Sequence, residues 1–286
     1  MITRFRVALA LTLAACAPTV NLLNPTTPMF AGKYASLHVV DSAAPAEDSV
    51  RVKVVSFNIK LSDRIGPAID VLRRAPLADA DVISLQEMDE AGVEQIAHAL
   101  DLNYIYYPGA IHPTRHRYFG PAILSRWPIT ETRKLILPHE AWGRRQRRTA
   151  TAATIAVRGS CVRVYAVHLE TQLKASPRQR EEQIDVVLSD AAATPCPVVI
   201  AGDFNSKGIG HYLERKGFAW PTENVGKTIT VFSWDHIFAR GLGLPDSDVA
   251  GKVRDVNGAS DHRPVWASLM LKQLPPKTLL GSAGQP

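Results

Sequence analysis

The segment PVVIAGDFNS, residues 197–206, decides the fold class of this chain. Residues 198–201 form an apolar run without polar alternation, and a proline and a glycine bound it. Such a run is typical of a strand that is buried on both faces. The strand ends on Asp203 and Asn205. A turn is the simplest interpretation, because Asp and Asn close strands by bonding their own backbone. A functional site becomes the better interpretation if other buried strands end in the same way.

The composition indicates one globular domain. The chain has 286 residues, of which 46% are hydrophobic and 21% are charged. That length and composition suffice for one large core of layered β structure. The 33 basic and 27 acidic residues give a net charge of +6. This excess suits phosphate-bearing partners but is too small to establish nucleic-acid binding.

The first residues resemble an export signal. Arg4 and Arg6 precede an apolar stretch over residues 7–15 that is too short to span a bilayer, which predicts a secretory signal peptide over residues 1–15. The signal ends in LAAC, and this motif resembles the bacterial lipobox, in which the cysteine is lipidated. We therefore expect an exported lipoprotein of the bacterial cell envelope, anchored to the membrane through Cys16. A simple signal peptide with a coincidental cysteine is the alternative.

The remaining chain divides by composition. Residues 16–50 are rich in Pro, Ala, Ser and Thr and are predicted to form a lipidated N-terminus and a flexible tether. One short strand is expected within it at SLHVV, residues 36–40. The working domain is predicted over residues 51–271. Residues 272–286 are predicted to form a flexible tail.

Polar side chains end or enter six predicted strands of this domain. They are Asn58, Glu87, His168, Asp203 with Asn205, Asp235, and Asp261 with His262. Carboxylates among apolar strands are costly unless they are paired or bound to a metal. Oxygen ligands beside imidazoles suit Mg²⁺, with Mn²⁺ or Ca²⁺ as alternatives. This pattern predicts a metal site for the hydrolysis of phosphate esters.

Six short blocks, SFN, LQE, AILSR, VHLE, GDFN and SDHRPV, follow one another between residues 56 and 265. In this order they resemble the signature blocks of the endonuclease/exonuclease/phosphatase superfamily. That superfamily includes deoxyribonucleases, abasic-site nucleases, inositol polyphosphate phosphatases and bacterial sphingomyelinases. The resemblance implies an α/β fold, a four-layer α/β sandwich in which two packed mixed β-sheets are flanked by helices.

The resemblance also implies a metal site and a phosphate site. Glu87 would be the main metal ligand, with Asn58 close to it and Asp261 on the metal side. Asp203 and Asn205 would hold and polarise the scissile phosphate or the attacking water. Glu87 is hard to explain structurally, since it ends an apolar strand.

The same resemblance implies proton-transfer roles for the two histidines. His262 would be a general base or a phosphate contact, and Asp235 would accept its other ring proton. His168 lies where the deoxyribonuclease and sphingomyelinase branches have a histidine acid. The deoxyribonuclease branch orients this histidine with a glutamate before AILSR, whereas residues 112–122 contain no acid. The sequence therefore leaves the partner of His168 open.

The substrate is a phosphodiester in the favoured interpretation. In PHEAWGRRQRRTA, residues 138–150, Arg148 could contact a phosphate and Trp142 could stack on a base; a solvated basic loop is the alternative. We expect a monomeric, divalent-metal-dependent phosphoesterase, first of all a nuclease acting on DNA or RNA. A phosphatase or a sphingomyelinase-like phosphodiesterase is the alternative. A non-catalytic surface binding protein is less favoured, because it would need none of these residues together.

The cysteine spacing predicts a disulfide. Lipidation of Cys16 would leave Cys161 and Cys196 as a pair in an oxidising compartment. Cys161 precedes His168 by seven residues, and Cys196 precedes Asp203 by seven. If the two strands are parallel neighbours, the cysteines face each other at the end of the sheet away from the site, within bridging range.

Overall fold

The computed structural model describes residues 19–36 and 48–273 of the protein. The helices in these ranges are α1 (Ile65–Leu72), α2 (Glu90–Ala99), α3 (Pro177–Ala192) and α4 (Gly208–Arg215). The strands are β1 (Val20–Asn21), β2 (Phe30–Gly32), β3 (Ser49–Asn58), β4 (Val82–Met88), β5 (Asn103–Tyr106), β6 (Ala110–Ile111), β7 (Tyr118–Ser125), β8 (Ile129–Glu140), β9 (Arg147–Val157), β10 (Ser160–His168), β11 (Val198–Asp203), β12 (Asp235–Arg240), β13 (Ala250–Lys252) and β14 (Val265–Lys272).

The strands form two mixed sheets. The larger sheet has nine strands in the order β1-β6-β7-β4-β3-β14-β13, with β5 paired to β7 and β2 paired to β5. The smaller sheet has five strands in the order β12-β11-β10-β9-β8. Each sheet contains one parallel pair, β3 with β4 and β10 with β11. The predicted fold class, two packed mixed sheets with flanking helices, is confirmed.

Three apolar layers hold the sandwich together. Val54 of β3 and Val164 of β10 belong to the core between the two sheets. Phe57, on the opposite face of β3, packs in a second core with the residues of α1 and α2. Ile184 of α3 and Leu213 of α4 cover the outer face of the smaller sheet. Because side chains alternate across a strand, β3 contributes to two cores at once.

The segment before β3 differs from the predicted tether. Residues 19–36 lie along the domain, where β1 pairs with β6 and β2 pairs with β5. The Nζ of Lys134 donates hydrogen bonds to the carbonyl oxygens of Leu22 (3.0 Å) and Thr27 (2.9 Å). The prediction of a flexible tether is therefore wrong for this part. Strand pairing uses backbone groups, so a segment rich in Pro and Thr can dock without an apolar pattern.

Several predicted features lie outside the described residues. They are the signal peptide, Cys16, nearly all of SLHVV and the tail beyond residue 273. Ser36, the described residue of SLHVV, is not in a strand. Among the described residues, none of the helices has the length and apolar character needed to cross a membrane.

Strands β10 and β11 have the parallel register that places the two cysteines together. His168 and Asp203 are Cα partners in this register. At the other end of the same strands, Cys161 and Cys196 form a disulfide with Cα atoms 5.4 Å apart. The intervening helix α3 begins at Pro177, and the preceding Ser176 forms a capping box with Gln179 that satisfies the first backbone donors.

Candidate active site

The polar strand ends meet at one end of the molecule. Strands β3, β4, β10 and β11 finish there and β12 begins there, so we call it the site end. The amide of Asn58 on the larger sheet donates to Asp203 on the smaller sheet, with Nδ2 3.1 Å from Oδ2. This contact joins the two sheets directly above their shared core.

A β-bulge aims Glu87 into the site. The pairing of β4 with β7 shifts between Leu85 and Met88, and Glu87 has a left-handed φ of 59°. A bulge of this kind turns a side chain out of the regular alternation, and such strained residues cluster at functional sites. Glu87 Oε1 accepts from Asn58 Nδ2 at 3.2 Å, and Oε2 accepts from the backbone N–H of Leu61 at 3.1 Å.

The GDFN segment positions two further groups. Gly202 is required because a Cβ at this position would collide with the carbonyl oxygen of Val167 on β10. Asp203 Oδ1 accepts from the backbone N–H of Asn205 at 2.8 Å, and Asn205 Nδ2 donates to the carbonyl of Leu169 at 3.0 Å. Asn205 adopts φ 49°, a conformation that Asn tolerates better than most residues. The turn that the sequence predicted after this strand is therefore present, and it holds the side chains of Asp203 and Asn205 in the site.

Asp203 is a fully buried carboxylate with a strongly altered acidity. Burial raises the pKa of Asp203 to about 7. The neighbouring His262 opposes this rise in pKa, whereas the carboxylates of Asp235 and Glu87 add to it. A pKa near neutrality is the value that a general base needs at physiological pH.

His262 and Asp235 form a buried pair. His262 Nδ1 lies 2.9 Å from Oδ2 of Asp235 and 3.1 Å from its Oδ1, and His262 Nε2 lies 3.8 Å from Asp203 Oδ2. Burial alone would lower the pKa of His262, but Asp235 foremost, with Asp203 and Asp261, outweighs it and raises the pKa to about 10. In this arrangement the imidazole is protonated at neutral pH and directs an Nε2–H toward Asp203.

Arg148 is the partner that the sequence left open for His168. Its Nη1 donates to His168 Nδ1 at 3.1 Å. Because a guanidinium has no acceptor, His168 Nδ1 must be the unprotonated nitrogen, and the ring proton is on Nε2, 3.5 Å from Asp203 Oδ2. Burial, with the charges of Arg148 and His262, holds the pKa of His168 well below its ordinary value.

Glu170 fixes Arg148 and was missed at the sequence level. Arg148 Nε donates to Glu170 Oε2 at 3.1 Å and Nη2 donates to Oε1 at 3.3 Å, and both side chains are buried. Three nitrogens of Arg148 bind Glu170 and His168, an arrangement that positions His168. The predicted contact of Arg148 with a substrate phosphate stays a prediction. Glu170 is the last residue of the VHLE block. An acid directly after an apolar strand was the feature of the sequence that could have indicated its role.

Asp261 stands apart from the other predicted ligands. Its side chain is 47% exposed and pairs with Lys60 Nζ at 3.3 Å. The preceding Ser260 Oγ donates to the carbonyl of Asn58 at 2.6 Å and accepts from the backbone N–H of His262 at 3.1 Å. Ser260 thus ties the His262 loop to β3, as a loop-shaping hydroxyl would.

The side chains at the site are of the types that bind a divalent cation. Asp203, Asp235 and His262 are buried, and each offers one ligand atom within 4.8 Å of the others. Asp235 and His262 already neutralise each other, however. The oxygens of Glu87 and Asp203 are bridged by the neutral amide of Asn58. Asp203 also faces His262 Nε2 at 3.8 Å, whereas no ion pair among the described residues includes Glu87. A hard divalent ion on the Glu87 side fits this set.

Sequence and structure comparisons agree with this picture. A model of the Endonuclease/Exonuclease/phosphatase family matches residues 55–262. No curated protein matches the chain in sequence. The structure is similar to an endonuclease/exonuclease/phosphatase from Bacteroides vulgatus, with a TM-score of 0.62 and 17% identity over 78% of this chain and 99% of that chain.

Two other solved structures have a similar fold. The endonuclease/exonuclease/phosphatase from Beutenbergia cavernae DSM 12333 gives a TM-score of 0.61 and 22% identity, covering 79% of this chain and 73% of that chain. D. rerio TDP2 complexed with single strand DNA product gives a TM-score of 0.58 and 19% identity, covering 77% and 98%. At these identities the structural similarity shows the shared fold alone.

Proposed function

The chain belongs to the endonuclease/exonuclease/phosphatase family, and from that premise we propose that it is a divalent-metal-dependent hydrolase of phosphodiester bonds. The observation that carries the proposal is the continuous network from Glu87 through Asn58 to Asp203, and from Asp203 to His168 and His262. Asp203, His168, His262 and the carboxylate of Glu87 then surround one point, at which a phosphate would fit.

Each group has a role that follows from its protonation. Asp203, with a pKa of about 7, accepts the proton of the attacking water. His262, held protonated by Asp235, donates Nε2–H to a phosphate oxygen or to the leaving oxygen. His168 donates its Nε2–H as a neutral group, because Arg148 occupies Nδ1. Asn205 is fixed beside them, because its Nδ2 donates a hydrogen bond to the carbonyl oxygen of Leu169.

The metal would be held on the Glu87 side. Glu87 and Asp203 offer oxygens there, and the Nδ2 of Asn58 donates to both of them. Asp261 would act from the edge of the site after release from Lys60. When bound, Mg²⁺, or Mn²⁺ or Ca²⁺ in its place, offsets the charge of the phosphate and acidifies bound water.

The test of this proposal replaces Glu87. Glu87→Gln should keep the fold and lower the hydrolysis of bis(p-nitrophenyl) phosphate by orders of magnitude, with weaker Mg²⁺ activation. The matched control is Glu214→Gln, an exposed carboxylate on α4 that pairs with His211. Full activity of Glu87→Gln at low Mg²⁺ would refute the assignment of Glu87.

Nucleic acid is the first candidate substrate. One basic side chain at the site end supports it, Arg144 between β8 and β9. Arg115 and Arg117, in the loop before β7, pair with Asp63 and Asp89 at 2.7 Å each. The similar fold of a protein that was solved with a single strand DNA product adds support. Cleavage of plasmid DNA or RNA in Mg²⁺, absent in chelator, would establish this substrate class.

A lipid head group is the second candidate, and a specific observation favours it. Trp142 is 83% exposed and Leu173 is 96% exposed, and both lie on loops at the site end. Hydrolysis of sphingomyelin or phosphatidylglycerol in vesicles, measured against the nucleic acids, separates the two candidates.

We also propose that the protein is an exported, monomeric lipoprotein anchored through Cys16. The support is the lipobox-like LAAC motif and the disulfide, which suits an oxidising compartment. Cys16→Ser should move the protein from the membrane fraction to the soluble fraction. An unchanged distribution would refute the anchor.

A further inference from the structure

The site end carries the most exposed apolar side chains in the described part of the chain. Leu173 and Trp142 have the highest exposures among the large hydrophobic residues, and Val20, Val231 and Phe232 are also exposed there. Isolated exposed apolar residues are ordinary, but several around one opening indicate an interaction surface.

The strand directions place these residues on one face. Trp142 lies in the turn between β8 and β9, Leu173 follows β10, and Phe232 precedes β12. The pairing of β8 with β9 and of β9 with β10 brings that turn to the end where His168 lies. The pairing of β11 with β12 brings the third loop to the same end. The apolar side chains therefore surround the opening of the site on three separate loops.

A cation accompanies each apolar loop. Arg144 follows Trp142 by two residues and Lys174 follows Leu173 directly. Lys227 precedes Thr228, whose backbone N–H donates to the carbonyl of Phe232 at 2.8 Å. None of the ion pairs among the described residues involves these three cations, although the charge of Lys174 helps to lower the pKa of Glu170. Apolar tips with unpaired cations beside them match the chemistry of an anionic phospholipid surface.

The docked N-terminal segment brings the anchor to the same face. The backbone N–H of Thr19 donates to the carbonyl of Arg144 at 2.9 Å, next to Trp142. Cys16 precedes Thr19 by three residues, and three residues of extended chain reach at most roughly 10–11 Å. A lipid on Cys16 would therefore enter the bilayer beside the Trp142 loop, rather than at the end of a long tether.

We propose that the site end is the surface that rests on the phospholipid bilayer, with Trp142 and Leu173 in the head-group region and the site opening toward the membrane. This inference rests on the proposed phosphodiesterase function and on the Cys16 anchor. If it holds, a phospholipid head-group phosphodiester replaces nucleic acid as the first candidate substrate, because such a bond is presented at the surface that the site faces. A long nucleic acid would have to pass between the protein and the bilayer.

The orientation can be measured on the lipidated protein itself. The mature protein is reconstituted into phosphatidylethanolamine and phosphatidylglycerol vesicles that contain brominated phospholipid, which quenches nearby tryptophan fluorescence. Trp142→Phe removes the residue proposed to enter the head groups. Trp127→Phe is the matched control, because Trp127 follows the end of β7 that points away from the site.

The expected result is quenching in the wild type that falls at least about threefold in Trp142→Phe and persists in Trp127→Phe. Equal quenching in the two variants, no quenching in the wild type, or recovery of the exported protein without a lipid would overturn the proposal. Hydrolysis of soluble bis(p-nitrophenyl) phosphate by the same wild-type protein in detergent is measured in parallel. Quenching without hydrolysis would refute the catalytic function alone, and hydrolysis without quenching would refute the orientation alone.

Discussion

Arg148 donates a hydrogen bond from Nη1 to Nδ1 of His168 at 3.1 Å, while its other nitrogens bind Glu170. A carboxylate in the place of Arg148 would stabilise a charged imidazole, whereas a guanidinium excludes it. In the mechanism that we propose, His168 is therefore a neutral donor rather than a proton-releasing acid, and the acidic role passes to His262.

Arg148→Lys should disturb His168 without removing the charge that balances Glu170. A lysine lacks the planar fork that holds two partners at once, so turnover of bis(p-nitrophenyl) phosphate should fall roughly tenfold through misplacement of the imidazole. The pKa of His168, followed by NMR, should change together with the rate. Arg147→Lys is the neighbouring control. An equal loss of turnover in that variant would contradict a specific role of Arg148.

His262→Ala should lower turnover by about 10²-fold or more, the usual contribution of one proton-transfer group, and His168→Ala should cost about 10²-fold through the loss of one hydrogen-bond donor to the transition state. The double variant should lose less than the product of the two effects, because both groups act on one transition state. His211→Ala, on the exposed face of α4, is the control. A folded, metal-loaded His262→Ala enzyme with wild-type turnover would contradict the assignment.

The alkaline limb of the pH profile should depend on Asp235. His262 must keep its proton to donate, so activity should fall as the pH rises through about 10, the pKa that Asp235 foremost produces. Asp235→Asn removes this carboxylate and should move the limb to lower pH. Asp248→Asn, an exposed change, should leave it in place. An alkaline limb that does not move in Asp235→Asn would argue against a protonated His262.

The acidic limb should respond to Mg²⁺. Asp203 accepts a proton only as a carboxylate, so activity should rise with pH through the neutral range, where its pKa of about 7 lies. A cation beside Glu87 favours the carboxylate form and lowers that pKa. Rate profiles at increasing Mg²⁺ should therefore show the limb moving to lower pH. An acidic limb that does not move with the Mg²⁺ concentration would contradict the proposal that the metal binds next to Asp203.

Removal of the disulfide should affect stability more than catalysis. Cys161 and Cys196 are separated by 35 positions and lie at the opposite end of β10 and β11 from the site. Replacing both by serine should lower the free energy of unfolding by about 2–4 kcal/mol, measured by denaturant titration, while turnover stays within about twofold of the parent. Two reactive thiols in the unreduced mature protein would show that the bond is absent.

The features that depend on the strands alone could be predicted from the sequence. Apolar runs with polar ends indicated the sheets, and the residues at those ends, such as Glu87 and Asp203, do converge. The Arg148–Glu170 pair escaped prediction, because its contact depends on how β9 aligns with β10. The docking of Thr19 on Arg144 escaped as well, since it uses backbone groups that every residue carries. The protonation of His262 and His168 depends on burial and on neighbours from distant strands, which a linear pattern does not contain.

The most direct test of the central claim is the hydrolysis of bis(p-nitrophenyl) phosphate by the wild-type protein in Mg²⁺, in chelator, and after Mg²⁺ is restored. The site built on Glu87, Asp203 and His262 predicts turnover in Mg²⁺, its loss in chelator and its return with the metal. Turnover that persists undiminished in chelator, or that is absent under all three conditions and with Mn²⁺ and Ca²⁺ as well, would contradict it.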